Sequence, residues 1–369
     1  MSGTGDDDRL AGIRRQIDAI DEQLQALISD RARLALEVGA TKYPGPVGLT
    51  GGPRDYYRPE REAEILRLAV ARNQGPLKDE EIVRLFREIM SACLAQQEPM
   101  KVAFLGPEGT FSQAAVLKQF GHSVRTLAVP SIEEVFHDVE TGVADFGVVP
   151  VENSTEGTVG ATLDMLVNTP LHISGEVELR IRQHLLGRMT DLGAVAKVYS
   201  HQQSLAQCRA WLDQRLPGVE RVAVASNATA ARLAAEEEGA AAIAGDTASE
   251  VYGLGILMQN IEDRPDNTTR FLVIGRERPG PSGRDKTSLL LSSRHHAGAL
   301  QELLHPLSRH GVSMTRIESR PSRRRKWDYV FFVAIEGDYA AAEVAAALAE
   351  LEQAAAWLRV LGAYPVAIL

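Results

Sequence analysis

The sequence predicts a multidomain chain: an all-α helical domain, then a two-lobed α/β domain, then an α+β unit of ferredoxin-like order. Three observations carry this. Apolar residues keep helical spacing from Arg9 to Lys42, the period switches to short β-like runs at Met100, and the last eighty or so residues read βαββαβ. At 369 residues the chain exceeds one ordinary core. A hydrophobic share of 44% with only 5% aromatics fits Ala/Val/Leu/Ile cores of helical and α/β enzymes rather than sandwiches.

In the first segment, Leu10, Ile13, Ile17, Ile20, Leu24, Leu27, Ile28, Leu34 and Val38 mark one long helix, with residues 1–8 expected as a disordered tail. Such a helix spans roughly 50 Å, more than a domain this small can cover, so a second copy of the chain is the expected partner. A Gly/Pro-rich connection, YPGPVGLTGGP, precedes helices predicted over Pro59–Asn73 and Asp79–Gln97. This helical domain is placed at residues 1–98.

From residue 100 to 278, strands KVAFLG, FGVVPV, HISGEVEL, KVYSH, VAVAS, AAIAG and RFLVIG alternate with helices such as SIEEVFHDVETG. Sequence from about 180 to 262 reads as a separate lobe, which predicts a cleft between two lobes. Strand ends rich in Ser, Thr, Asn and Gly recur: GPEGTFS, VENSTEGTVG, SHQQS, SNATAA and NTTRF. In open α/β sheets, ligands bind beyond such carboxyl ends. After a PGPSG linker, residues 285–369 form the ferredoxin-like unit. Its RPSRRRK turn is basic and, by itself, a solvated hairpin tip.

A formal charge of −9 argues against nucleic-acid binding but permits a local cationic site for small anions. Two cysteines, Cys93 and Cys208, share no metal or disulfide spacing, so no metal or cofactor is expected. Without a basic, apolar leader or a membrane-length apolar run, a cytoplasmic protein with no membrane contact is expected.

Arg31 and Lys42, eleven residues apart, fall within about 20° on one helix face, whereas Arg14 points about 100° away and would serve a partner's pocket. Arg61 and Glu62 open the second helix, and Gln97 closes the third. Taken singly these are surface charges. Jointly, cations on apolar faces without matching acids suit a small dicarboxylate.

The order of Arg14, Arg31, Lys42, Arg61 and Gln97, then GPEGTFS, VPVENSTEG, TRF, GAL and ESRP resembles the bifunctional chorismate mutase/prephenate dehydratase family over nearly the whole chain. That resemblance implies a helical mutase domain, a dehydratase domain of periplasmic-binding-protein type and a C-terminal ACT domain. It implies that Arg31 and Arg14 of the partner subunit grip chorismate's carboxylates. Lys42 and Gln97 would bond the ether oxygen and Glu62 the ring hydroxyl, with Arg61 lining the pocket. For prephenate, Thr269 would donate to the leaving hydroxyl and Arg270 would hold a carboxylate. Asn153, Ser154, Thr155, Thr110 and Ser112 would supply further donors. Gly298, Ala299 and Leu300 with Glu318, Ser319 and Arg320 would bind phenylalanine between paired ACT domains in a homodimer or higher homo-oligomer. The family's SHPQ stands here as Ser200, His201, Gln202, Gln203.

Two other readings stay open at this level: a dehydratase whose helical domain only dimerises, and a non-catalytic amino-acid sensor.

Overall fold

The computed structural model describes residues 3–42, 57–294, 296–321 and 329–368. The Gly/Pro-rich connection and most of the basic hairpin turn lie outside the described residues. The helical domain consists of α1 (Gly3–Lys42), α2 (Pro59–Arg72) and α3 (Asp79–Ala95). Where a disordered tail is expected at residues 1–8, α1 instead reaches back to Gly3. Asp6 sits in its first turn, where an acidic group complements the exposed N–H groups of a helix start.

Apolar side chains of α2 and α3 meet in a small core of Leu66, Val83 and Met90. α1 buries little: Leu10, Ile17, Ile20, Leu24, Leu27 and Leu34 all remain at least half exposed. A forty-residue helix thus keeps a long apolar stripe uncovered among the described residues.

The first lobe of the middle domain runs through β1 (Lys101–Leu105), α4 (Phe111–Phe120), β2 (Arg125–Val129), α5 (Ile132–Thr141), β3 (Phe146–Asn153), β4 (Gly157–Thr158), α6 (Gly160–Asn168) and β5 (His172–Arg180). The chain then builds a second lobe from β6 (His184–Gly187), β7 (Lys197–His201), α7 (Gln202–Gln207), α8 (Arg209–Arg215), β8 (Glu220–Val224), α9 (Asn227–Glu236), β9 (Ala240–Ala244), α10 (Asp246–Tyr252) and β10 (Gly255–Met258). It returns through β11 (Thr268–Gly275), which inserts antiparallel between β3 and β5. The sheets are ordered β2-β1-β3-β11-β5 and β10-β6-β9-β7-β8. Two crossings of the chain join the lobes, as the predicted cleft requires.

The C-terminal domain is β12 (Asp285–Ser292), α11 (Ala299–Arg309), β13 (Met314–Pro321), β14 (Tyr329–Glu336), α12 (Ala342–Ala354) and β15 (Trp357–Pro365), with sheet order β13-β14-β12-β15. This is the ferredoxin-like arrangement expected from the element order. Its sheet shares a core with the first lobe: Leu290, Val330, Phe332, Leu361 and Tyr364 pack with Val149, Leu166, Ile173 and Leu272. The PGPSG linker is pinned, since the Arg67 guanidinium of α2 donates to the carbonyls of Ser282 and Arg284.

Candidate active sites

The three helices enclose a cavity of about 250 Å³ whose lining includes Arg31, Lys42, Arg58, Arg61, Glu62, Cys93 and Gln97. Helical periodicity places Arg31 and Lys42 together as expected, and neither has an acidic partner among the described residues. Arg14, exposed and about 25 Å along the axis from Arg31, does not line this cavity. The expectation that the cations lack matching acids needs correction: Arg61 is paired with Glu64 on the rim, and Arg58 lies 3.9 Å from Glu60.

Gln97 enters the cavity from the end of α3. Its Nε2 donates to the Ala35 carbonyl at 3.0 Å, and its buried Oε1 carries no hydrogen bond. Space for this amide comes from Gly39, where a Cβ would overlap Oε1. Glu62 keeps only 11% of its side chain exposed and is bonded to Arg87 Nε at 3.2 Å. Burial pushes its carboxyl above the usual range, while Arg87 and the Tyr57 hydroxyl push it back down. Arg87 escaped the sequence reading because a lone arginine in mid-helix looks like a surface residue; its place between Val83 and Met90 on the buried stripe was the available signal.

The second site lies at the strand ends facing the other lobe. Thr269 is 9% exposed, and its Oγ1 accepts a hydrogen bond from Asn153 Nδ2 at 2.8 Å. That donation occupies an oxygen lone pair and leaves the hydroxyl hydrogen to be given elsewhere.

Asn153 corrects an expectation. Its Nδ2 also donates to Asn267 Oδ1, and its Oδ1 accepts from Thr155 N, Thr155 Oγ1 and Glu156 N. Both donors and the acceptor are committed, so Asn153 orients Thr269 and has no group left for a ligand. Ser154 and Thr155 likewise stitch the β3–β4 turn: Ser154 Oγ accepts from Thr268 N, and Thr155 Oγ1 accepts from Gln207 Nε2. Thr110 precedes α4 and donates to the Leu105 carbonyl, and Ser112 is buried in the helix's first turn. The neighbouring Glu108 carbonyl accepts from Tyr252 of the second lobe.

Arg270 is the larger correction. Successive strand residues point to opposite faces, so Thr269 and Arg270 cannot serve one pocket. Arg270 faces the C-terminal domain and pairs with Glu152 at 3.2 Å and Glu176 at 3.7 Å; Glu176 also holds Lys286 of β12, and Glu152 holds Arg316 of β13. A substrate carboxylate would have to displace two carboxylates already there.

Sequence reasoning missed a polar chain joining the lobes. Asn267 Nδ2 donates to Gln207 Oε1, while Gln183 and Asn227 both donate to Ser204 Oγ; Asn227 Oδ1 accepts from Ser200 Oγ and His201 N. Gln202 occupies the first position of α7, which Pro favours without requiring it, so the SHQQ variant still starts a helix.

In the C-terminal domain, Gly298 has φ 86° ahead of α11, the left-handed region that suits glycine. With Ala299 and Leu300 it lines an open groove of about 460 Å³. Glu318, Ser319 and Arg320 lie within edge strand β13 rather than after a strand, and they do not line that groove. Arg320 instead reaches α6, bonding Asp164 at 2.8 Å.

A helical domain with a cation-lined pocket, a two-lobed α/β domain with a part-buried Thr–Asn pair at its cleft and a ferredoxin-like unit on its flank define a multidomain enzyme with an appended ACT module. Family models match in the same order: chorismate mutase type II over residues 13–98, prephenate dehydratase over 102–279 and ACT domain over 287–353. The bifunctional chorismate mutase/prephenate dehydratase of Pseudomonas aeruginosa is 52% identical over 365 residues, covering 99% of this chain and all of that one. The chain belongs to the bifunctional chorismate mutase/prephenate dehydratase family. Among solved structures, a prephenate dehydratase from Arthrobacter aurescens in complex with L-Phe is 34% identical with TM-score 0.66, over 72% of this chain and 90% of that one. GqqA, described as a quorum-quenching acylase, is 31% identical with TM-score 0.67, over 72% of this chain and 98% of that one.

Proposed function

We propose that the chain converts chorismate to prephenate in its helical domain and prephenate to phenylpyruvate in its two-lobed domain, under control of phenylalanine bound to the ACT domain. The observation that carries the first activity is the meeting of Arg31, Lys42, Glu62 and Gln97 in one cavity. The rearrangement breaks the ether C–O bond as a C–C bond forms, in one step needing no acid, base or cofactor. Its requirements are a compact conformer and donors to the ether oxygen. Lys42 and the Gln97 amide would meet that oxygen, Glu62 would accept from the ring hydroxyl, and Arg31 would hold a carboxylate. Arg14 of the partner subunit would hold the other, and the exposed apolar stripe of α1 supports a dimer or higher homo-oligomer.

In the second reaction the bond to the departing CO2 breaks, its electron pair aromatises the ring, and hydroxide leaves as water once protonated. Thr269, oriented by Asn153, would donate to that hydroxyl. With Arg270 turned away, the substrate carboxylates would fall to the N–H groups opening α4, beside Thr110 and Ser112. No helix among the described residues is long and apolar enough to cross a membrane, in keeping with the proposed cytoplasmic location.

The test incubates purified full-length protein with chorismate at mildly alkaline pH, following chorismate, prephenate and phenylpyruvate chromatographically. Phenylpyruvate should form, and Arg31→Ala should abolish consumption of chorismate while sparing that of prephenate. Accumulation of prephenate alone would remove the dehydratase; untouched chorismate would return the helical domain to a dimerisation role.

A further inference from the structure

Tyr57, just ahead of α2, belongs to two domains at once. Its ring packs against Phe120 and Phe146 of the dehydratase domain, with centroids 5.2 and 5.3 Å away, and is 5% exposed. Its hydroxyl accepts from Gln119 Nε2 of α4 at 3.1 Å and shares one cavity wall with the Glu62 carboxylate, whose charge acts on it. A buried hydroxyl must find an acceptor for its proton. Because Gln119 already donates to the oxygen, the proton is left for Glu62. Glu62 is held by Arg87 and lines the mutase cavity together with Tyr57, which makes it the carboxylate within the hydroxyl's surroundings.

We propose that Tyr57, held by Gln119, is a positioning residue for the chorismate rearrangement: it fixes the Glu62 carboxylate toward the substrate's ring hydroxyl, so a dehydratase side chain helps set the mutase site. This rests on the reading of Glu62 as a substrate ligand. It makes α4 common to both activities, with Thr110 and Ser112 at its start and Gln119 at its end.

The charged groups facing Glu62 are Arg87 on α3, Arg58 and Arg61 beside it, Arg31 and Lys42 on α1 and, from β5 behind it, Glu176. Burial raises the Glu62 carboxyl and Tyr57 lowers it, so removing the hydroxyl lets it rise further and protonate at higher pH.

The experiment compares full-length wild type with Tyr57→Phe, Gln119→Met and Glu62→Gln, measuring mutase kcat and KM across pH, dehydratase turnover of prephenate and Tm. Tyr57→Phe keeps the ring packing, so dehydratase turnover and Tm should stay. The acid limb of mutase kcat/KM should move up by about one pH unit, the scale of one hydrogen bond to a carboxylate. Gln119→Met should move it the same way by less, and Glu62→Gln should remove that limb, separating Glu62 from Glu176. An unmoved profile in the first two variants beside an impaired Glu62→Gln would overturn the proposal and leave the Glu62 assignment standing. An unaffected Glu62→Gln would overturn both. A joint fall of both activities with Tm, and no pH shift, would reduce Tyr57 to packing and also overturn it.

Discussion

Gly39 offers the sharpest test of the mutase pocket, because its helical backbone would accept any residue and only the Gln97 amide forbids one. A Cβ there would overlap Oε1 and lie 2.7 Å from Cδ of Gln97. Ordinary contact needs more than 3 Å, so Gly39→Ala must drive the amide back by roughly 1 Å, a displacement able to cost about 100-fold when the group acts on a reacting atom. Loss of one preorganised donor to the ether oxygen gives a similar scale, about 100- to 1,000-fold in kcat. Stability should hardly change. The lost Gln97–Ala35 hydrogen bond costs about 1 kcal/mol and the better helix propensity of Ala returns about the same. The assay is mutase kcat and KM on chorismate, with prephenate turnover and Tm as internal controls. The prediction is a folded, fully active dehydratase with a crippled mutase, and no further loss on adding Gln97→Ala. Undiminished mutase activity in Gly39→Ala would refute the placement of Gln97 at the reacting oxygen.

Asn153→Asp replaces the two N–H donors that hold Thr269 and Asn267, so dehydratase kcat should fall about 100-fold or more with mutase rates intact; equal rates would show that Thr269 needs no orienting partner. Arg270→Met should lower stability by about 3 kcal/mol, by leaving Glu176 and Glu152 short of a partner, yet keep KM for prephenate; a large KM rise would put the guanidinium back in the substrate site. Asp164→Asn weakens the hold of α6 on Arg320, so phenylalanine should inhibit at lower concentration, by about fivefold at most for a part-buried ion pair near the surface. Unchanged sensitivity would show that Arg320 does not leave Asp164 when effector binds.

What sequence could show was set by how local each signal is. Periodicity placed Arg31 and Lys42 on one face, and the βαββαβ order was enough for the ferredoxin-like sheet, because both depend on near neighbours. The two faces of β11 follow from an equally local rule, adjacent strand residues pointing apart, yet the resemblance put Thr269 and Arg270 on one substrate and only the structure separates them. Asn153 could not be read this way. Its five side-chain hydrogen bonds run to its own turn and to Asn267 and Thr269, over a hundred residues later, so whether it binds substrate or braces Thr269 is settled only by tertiary packing. Tyr57 is the extreme case. Its position beside α2 says helical domain, while its ring lies in the dehydratase core.

The shared cores bear on how an effector could act. Were the ACT domain a tethered module, ligand binding could swing it freely. Here Gly362 of β15 lies so close to β5 that an added Cβ would overlap the Ile173 carbonyl oxygen, and the two domains bury Tyr364, Phe332 and Leu272 in one cluster. Rotation would unpack that core and pull Lys286 away from the buried Glu176. Smaller motions are available along β13, whose Arg316 bonds Glu152 and Thr158 and whose Arg320 bonds Asp164. Those contacts fall on the β3–β4–α6 segment, one residue from Asn153. A shift of β13 by a fraction of an ångström therefore reaches the residue that aims the Thr269 hydroxyl, and an effector that favours one position of β13 has a short physical path to the dehydratase reaction.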